Sequence, residues 1–190
     1  MDKNLEKYIE KFHEGHQKMG GTLHLICTAN LGSTLLSMFP EKTKVAAHIS
    51  LQEKYDLRGI WKKMTIPSAL EIIDPAAENP EVWKEKIAHL PISITMPIAF
   101  IAFSGTVVLS TAHDRSRLLS LLPQRHVVIG NVNQIVWRME DFWEKFGTEI
   151  DTFGSDLSFV TGPSRTADIE KILVRGVHGP HHFEVVMITD

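Results

Sequence analysis

The pattern of apolar and polar positions along the chain predicts alternating helices and strands. Leu5, Tyr8, Ile9 and Phe12 recur at helical spacing and a Gly-Gly pair follows, so we expect an amphipathic N-terminal helix within residues 1–20 that packs on the domain. Further helices are expected at 31–39, 55–64, 80–89, 115–122 and 134–149. Runs typical of strands occupy 22–26, 45–50, 69–74, 91–95, 105–111, 126–131, 157–162 and 183–190.

Several of these runs are nearly continuous Val, Ile and Leu, which is typical of strands covered on both faces of a mostly parallel sheet. The 190 residues are enough for one domain with a substantial core and short for two. The sequence therefore predicts a single α/β domain over residues 1–190.

Composition narrows the class of protein. Hydrophobic residues make up 43% and charged residues 23%, the balance of an ordinary globular chain. The longest apolar stretch, Leu90 to Leu109, is interrupted by prolines and hydroxyl residues, so we expect strands and turns there and no membrane span. The charged N-terminus has no apolar core of the kind a secretory signal needs, which favours a cytoplasmic protein.

Charge and cysteine content exclude further classes. The net charge is -3 and the basic residues are dispersed, whereas nucleic-acid binding needs a clustered basic face. The single cysteine, Cys27, allows no internal disulfide and no thiolate-bound zinc or iron–sulfur cluster. We expect Cys27 to be a buried small hydrophobic residue.

The segment from Gly162 to Pro180 concentrates the candidate chemistry. Ligands of open parallel sheets gather beyond the carboxyl ends of strands, and this segment follows the strand predicted at 157–162. Ser164 or Thr166 can cap a helix while Arg165 and free amides bind an anion. The alternative is a purely structural cap with an ion pair between Arg165 and Asp168.

A histidine between two glycines lies further along the same segment. His178, flanked by Gly176-Val177 and Gly179-Pro180, is a candidate for catalysis or ligand binding, or alternatively for a hydrogen bond that fixes a turn. His181 and His182 suggest a metal site, but Gly179-Pro180 breaks the helix that would align His178 with His182, so we expect no metal.

Two other groups of residues have more ordinary interpretations. His113-Asp114-Arg115 could line the same site as the Gly162 to Pro180 segment, although the solvated start of a helix explains these residues as well. The tryptophans occur in helical contexts and are expected to pack in the core or at interfaces. They are Trp61, Trp83, Trp137 and Trp143.

Five motifs follow one another in the second half of the chain: GTVVLS from Gly105, LP at Leu122, HVVI from His126, GPSRTADIE from Gly162 and GVHGP from Gly176. Their order closely resembles that in the LUD-domain family, of the lactate-utilisation protein C type. The motifs cover about residues 90–190, and the first half is similar in length and element order.

This resemblance implies a Rossmann-like, mostly parallel sheet flanked by helices, as in ribose-5-phosphate isomerase, glucosamine-6-phosphate deaminase and CoA transferases. It also implies a part in bacterial oxidation of L-lactate to pyruvate beside iron–sulfur partner proteins, which would carry the clusters while this chain binds no cofactor. The resemblance assigns no catalytic role; Asp168 and His178 are the candidates that the residues themselves suggest, and Glu170 could also act. The expected ligand-binding residues are Gly105, Thr106, Gly162, Ser164, Arg165, Thr166, Asp168, Gly176, His178 and Gly179.

One position departs from the family pattern. Family members often have an acidic residue where this chain has Phe103, and a phenyl ring cannot replace a carboxylate as nucleophile or base. We therefore favour an accessory subunit that binds a small anionic ligand. The alternatives are a stand-alone enzyme acting on a sugar-phosphate or CoA-type substrate, and a purely structural or regulatory interaction protein.

Overall fold

The computed structural model describes residues 3–39, 43–73, 80–110, 117–153, 156–166, 174–175 and 179–190. None of the helices within these ranges is long and apolar enough to span a membrane. The helices are α1 (Lys3–Lys18), α2 (Leu31–Met38), α3 (Ile49–Tyr55), α4 (Leu57–Met64), α5 (Pro80–Ala88), α6 (Arg117–Leu121) and α7 (Met139–Phe146). The strands are β1 (Thr22–Ile26), β2 (Lys44–His48), β3 (Ala69–Ile73), β4 (Ile92–Thr95), β5 (Ala99–Ile101), β6 (Thr106–Ser110), β7 (Arg125–Asn131), β8 (Ile135–Val136), β9 (Leu157–Val160), β10 (Arg165–Thr166), β11 (Val174–Arg175) and β12 (His182–Ile188).

A six-stranded parallel sheet forms the centre of the fold, in the order β1-β12-β7-β4-β2-β3. In the central strands β7 and β12 most side chains are buried, because both faces of the sheet are covered. The α/β class and the mostly parallel sheet are therefore confirmed, as is the N-terminal helix.

The two faces of this sheet carry different layers. Val45, Ala47 and Val127 belong to one buried cluster with apolar residues of α2, α3 and α4. On the opposite face, Val128 and Val185 pack against α1 and against strands of a second sheet. Alternate residues of β7 thus contribute to different cores, as the two-residue period of a strand requires.

The second sheet has four strands, in the order β8-β5-β6-β9, and β6 is antiparallel to both neighbours. The run at 157–162 was expected at the edge of the parallel sheet where ligands gather, and that expectation is wrong, because this run pairs antiparallel with β6 as β9. Only residues 102–105 connect β5 to β6, whereas a parallel pair needs a crossover of about a dozen residues. Gly162 consequently does not follow a strand of the parallel sheet, so the rule about carboxyl ends does not apply to it.

Two predicted helices differ in extent. The helix expected at 134–149 begins only at Met139, because Ile135 and Val136 are buried and pair with β5 as β8. The Gln134 side chain donates to the Pro97 carbonyl (2.6 Å) and accepts from the Asn131 amide (2.7 Å), which fixes the turn before β8. The helix expected at 55–64 is α4, preceded by the separate helix α3.

Thr65 ends α4 in the left-handed conformation, with φ 51°. A β-branched residue is strained there, by about 1–2 kcal/mol. We predict that Thr65→Gly raises the free energy of unfolding by about 1 kcal/mol, measured by urea denaturation. Thr22→Gly, in extended β1, is the matched control and should lower it. Equal losses in both variants would contradict the prediction.

Candidate functional site

Gly105 packs backbone to backbone against the last turns of α1. Its φ is +68°, and a Cβ added there would lie 2.2 Å from the backbone nitrogen of His16. The approach is mutual, because a Cβ on Gly15 would lie 2.9 Å from the Gly105 nitrogen. His16 Nδ1 donates to the Gly105 carbonyl (3.2 Å). Glycine is therefore required at this motif position by contact with α1, whether or not a ligand binds.

Gly162, the first residue of the GPSRTADIE motif, meets the same helix end. Its φ is +83°, and an added Cβ would lie 2.6 Å from the Met19 carbonyl oxygen. Arg165 Nη2 donates to that same oxygen. The Arg165 guanidinium, which the sequence predicted to bind an anion, thus also caps the carboxyl end of α1, where a positive charge is favourable.

A chain of hydroxyl groups joins the two glycine motifs. Thr106 Oγ1 lies 2.6 Å from Ser104 Oγ and 2.7 Å from Thr161 Oγ1. Thr106 is buried, and Thr161 directly precedes Gly162. The structure therefore places the Gly105-Thr106 and Gly162 segments together, although they are over fifty residues apart in sequence.

Gly179-Pro180, the described part of the GVHGP motif, lies beside the GPSRTADIE motif. The Ser164 amide donates to the Pro180 carbonyl (3.0 Å), and a Cβ added to Gly179 would lie 2.9 Å from Ser164 Cβ. Ser164, Arg165 and Gly179 are thus brought together, and their binding of a ligand stays a prediction.

Other predicted residues lie outside the described ranges. These are His113, Asp114, Arg115, Asp168, Glu170, Gly176 and His178; Thr166 is described only as backbone of β10. Their roles therefore stay predictions. Cys27 is half-buried, because it follows β1 at the edge of the sheet, so the expectation that it is buried is wrong.

His126, matched in the HVVI motif, is part of the core. It is fully buried, its Nε2 is hydrogen-bonded to Thr95 Oγ1 (2.8 Å), and its ring centre lies 5.2 Å from that of Phe183. The His16 ring packs 5.3 Å from Phe183 as well. Burial lowers the pKa of His126 to about 3 and also lowers the pKa of His16. Both imidazoles are consequently neutral packing groups near pH 7.

A surface that the sequence did not indicate surrounds Phe103, whose side chain is 55% exposed. Trp137 lies 6.5 Å away between ring centres, and the Arg138 guanidinium lies 5.4 Å from the phenyl centre. Trp137 precedes α7 and packs on Tyr8 of α1, so its assignment to a helix is wrong. The sequence pattern did not reveal this surface, because it predicts a helix at 134–149 that includes Trp137 and Arg138. The adjacent Trp137 and Arg138, just before the start of α7, are the sequence signal that could have indicated it.

Among the residues that the structure describes, no three His, Cys, Asp or Glu side chains form a group that could hold a metal ion.

The LUD domain model matches residues 9–188. The chain belongs to the LUD-domain family. It is similar to proteins named Lactate utilization protein C from Bacillus subtilis (strain 168), with 33% identity over 73% of this chain and 59% of the relative, and from Geobacillus sp. (strain WCH70), with 37% identity over 70% and 55%. The Exiguobacterium sp. protein of that name shares 36% identity over 60% of this chain and 51% of its own length. This LUD-domain chain thus spans only half to three fifths of these relatives.

A solved structure has the same fold. The crystal structure of a DUF162 family protein from Deinococcus radiodurans superposes with a TM-score of 0.70, over 97% of this chain and 98% of that one, at 16% identity. At 16% identity, this similarity shows that the two chains share the arrangement of sheets and helices.

The contacts of Gly105 and Gly162 with α1 give a direct stability prediction. Gly105→Ala and Gly162→Ala should each lower the free energy of unfolding by at least about 2 kcal/mol, because the methyl group meets backbone and φ is positive. Gly147→Ala is the matched control, since an added Cβ there meets nothing within 4 Å. Urea denaturation of all three variants measures the difference. Equal stabilities would show that α1 does not pack here as described.

The buried histidines predict a loss of stability in mild acid. The unfolded chain protonates His126 below about pH 6.5, whereas the folded protein keeps it neutral to about pH 3. The free energy of unfolding should therefore fall as pH drops through this window, and His16 adds to the fall.

Glu184 changes the free energy of unfolding only at lower pH than the histidines do. Burial would raise its pKa, but His24 and Arg125 outweigh burial and lower it to about 2.

Urea denaturation between pH 6.5 and 5 tests the contribution of His126. His126→Gln should reduce the slope of the free energy of unfolding against pH by up to about 1.4 kcal/mol per pH unit. His89→Gln, at an exposed position, controls for loss of an imidazole. An unchanged slope in His126→Gln would exclude His126 as the cause.

Proposed function

We propose that this protein takes part in lactate utilisation as a subunit that binds a small anionic ligand and acts beside iron–sulfur proteins that oxidise L-lactate to pyruvate. The relationship to proteins named Lactate utilization protein C supports the pathway. This chain has one cysteine, so cluster chemistry would belong to partner proteins.

One observation in the site supports an anionic ligand. Arg165 Nε is buried and has no hydrogen-bond partner among the described residues, although Nη2 bonds to Met19. A buried guanidinium N–H without an acceptor is costly, and a carboxylate or phosphate oxygen would supply one. The Ser164 side chain lies against Gly179, since a Cβ added to Gly179 would lie 3.2 Å from the Ser164 hydroxyl oxygen.

A binding role accounts for these residues better than turnover does. The side chains described near the loop include hydroxyls and a guanidinium, which bind and orient an anion. Phe103 supplies no nucleophile or base at the first motif.

Growth of the host tests this proposal. Deleting the gene should slow growth on L-lactate and leave growth on glucose unchanged. Restoring Arg165→Gln should rescue poorly, because the shorter amide side chain carries no charge for the anion. Restoring Arg58→Gln, an exposed arginine on α4, should rescue fully.

Two results would contradict the proposal. Normal growth of the deletion strain on L-lactate would remove the pathway assignment. Turnover of a sugar phosphate or a CoA ester by the purified protein would favour the stand-alone enzyme.

A further inference from the structure

We propose that the cavity beside Phe103 is a second binding site, which takes an organic anion with one anionic head and a flat apolar body. This inference is independent of the role in lactate utilisation and of the Gly162–Arg165 loop. It depends on the fixed position of Phe103, on the cations around it, and on the size and lining of the cavity.

Phe103 is held in place although its side chain is exposed. Its amide donates to the Trp137 carbonyl (2.9 Å), and the preceding Ala102 amide donates to Val136 (2.9 Å). Gly105 closes the same turn through a bond to Ile101 (3.0 Å) and packs on α1. Because the backbone of this turn is fixed by these bonds, a ligand that packs on the phenyl group has to order only the Phe103 side chain, which favours binding.

Cations from two helical regions surround this ring. Lys11 Nζ of α1 lies 5.9 Å from the phenyl centre, and the Arg138 guanidinium before α7 lies 5.4 Å from it. Lys7 of α1 lies 5.1 Å from the neighbouring Trp137 ring. A chain with net charge -3 thus concentrates three cations around two adjacent rings. This arrangement suits an anion that also presents apolar surface.

The cavity has the size and lining of a site for such a molecule. Its volume is about 390 Å³, within the range of about 300–1,000 Å³ typical of pockets for organic ligands. Apolar side chains share the lining with one hydroxyl and two charged groups. The lining residues are Ile101, Phe103, Ser104, Arg138, Met139 and Glu140.

The acidic groups nearby decide which cation is available. Glu14 pairs with Lys11 (2.7 Å), and Asp141 accepts from the Arg138 backbone amide (2.7 Å). The Arg138 guanidinium has no acidic partner in the part of the chain that the structure describes. Arg138 is therefore the main anion ligand, and Glu140 in the same lining opposes a negative charge.

Calorimetric titration of the full chain with 3-phenylpropionate tests this site. The neutral 3-phenylpropan-1-ol and acetate are the matched controls. The alcohol should bind at least about tenfold more weakly, since it loses a charge-assisted pair that contributes about 1.5 kcal/mol or more. Acetate should also bind at least about tenfold more weakly, because it has no apolar body to bury against Phe103. Arg138→Gln should weaken 3-phenylpropionate by a similar factor, whereas Glu140→Gln should tighten it. Phe103→Glu should abolish binding, because its carboxylate would pair with the same cations.

The variants are at exposed positions, so unchanged circular dichroism and melting temperature are expected, and Arg58→Gln controls for a lost arginine elsewhere. Equal binding of the alcohol and the acid would overturn the proposal. So would equal affinities of Arg138→Gln and Arg58→Gln, weaker binding in Glu140→Gln, or no saturable binding of 3-phenylpropionate to the wild type.

Discussion

The packing of the carboxyl end of α1 against two glycine turns is the contact on which the candidate site depends. Gly105 directly precedes β6 and Gly162 lies just after β9, both in the second sheet. Each lies so close to the backbone at the end of α1 that an added Cβ atom would clash with it. Arg165 caps the same helix end. Because α1 also fills the space between the sheets through Ile9 and Phe12, one helix positions both the core and the site.

This arrangement explains why motif residues serve structure and binding together. Thr106 is hydrogen-bonded to Ser104 on one side and to Thr161 on the other, so the cavity beside Phe103 and the Gly162–Arg165 loop share one hydroxyl chain. A ligand at either place would meet a backbone already fixed by its own hydrogen bonds. Such preorganisation limits the entropy lost on binding.

The sequence predicted the parts of the fold that depend on local pattern. Continuous apolar runs such as β7 and β12 identified the parallel sheet, and the spacing of Ile9 and Phe12 identified α1. The antiparallel second sheet escaped prediction, because β5 has only three residues and β8 only two. The sequence also grouped Ser164, Arg165 and Gly179, which lie close together in the structure, while their binding of a ligand stays a prediction. The contact of Arg165 with Met19 was not predictable, since it joins residues 146 positions apart and depends on tertiary packing.

Hydrogen exchange at the end of α1 tests the central claim most directly. Helix ends usually fray, so their amides exchange quickly. Here the Met19 and Gly21 amides, which donate to Gly15 and His16, should exchange as slowly as the amides pairing β6 with β9. Gly105→Ala should accelerate exchange at the helix end. Rapid exchange of these amides in the wild type, with β6 and β9 still protected, would contradict the account.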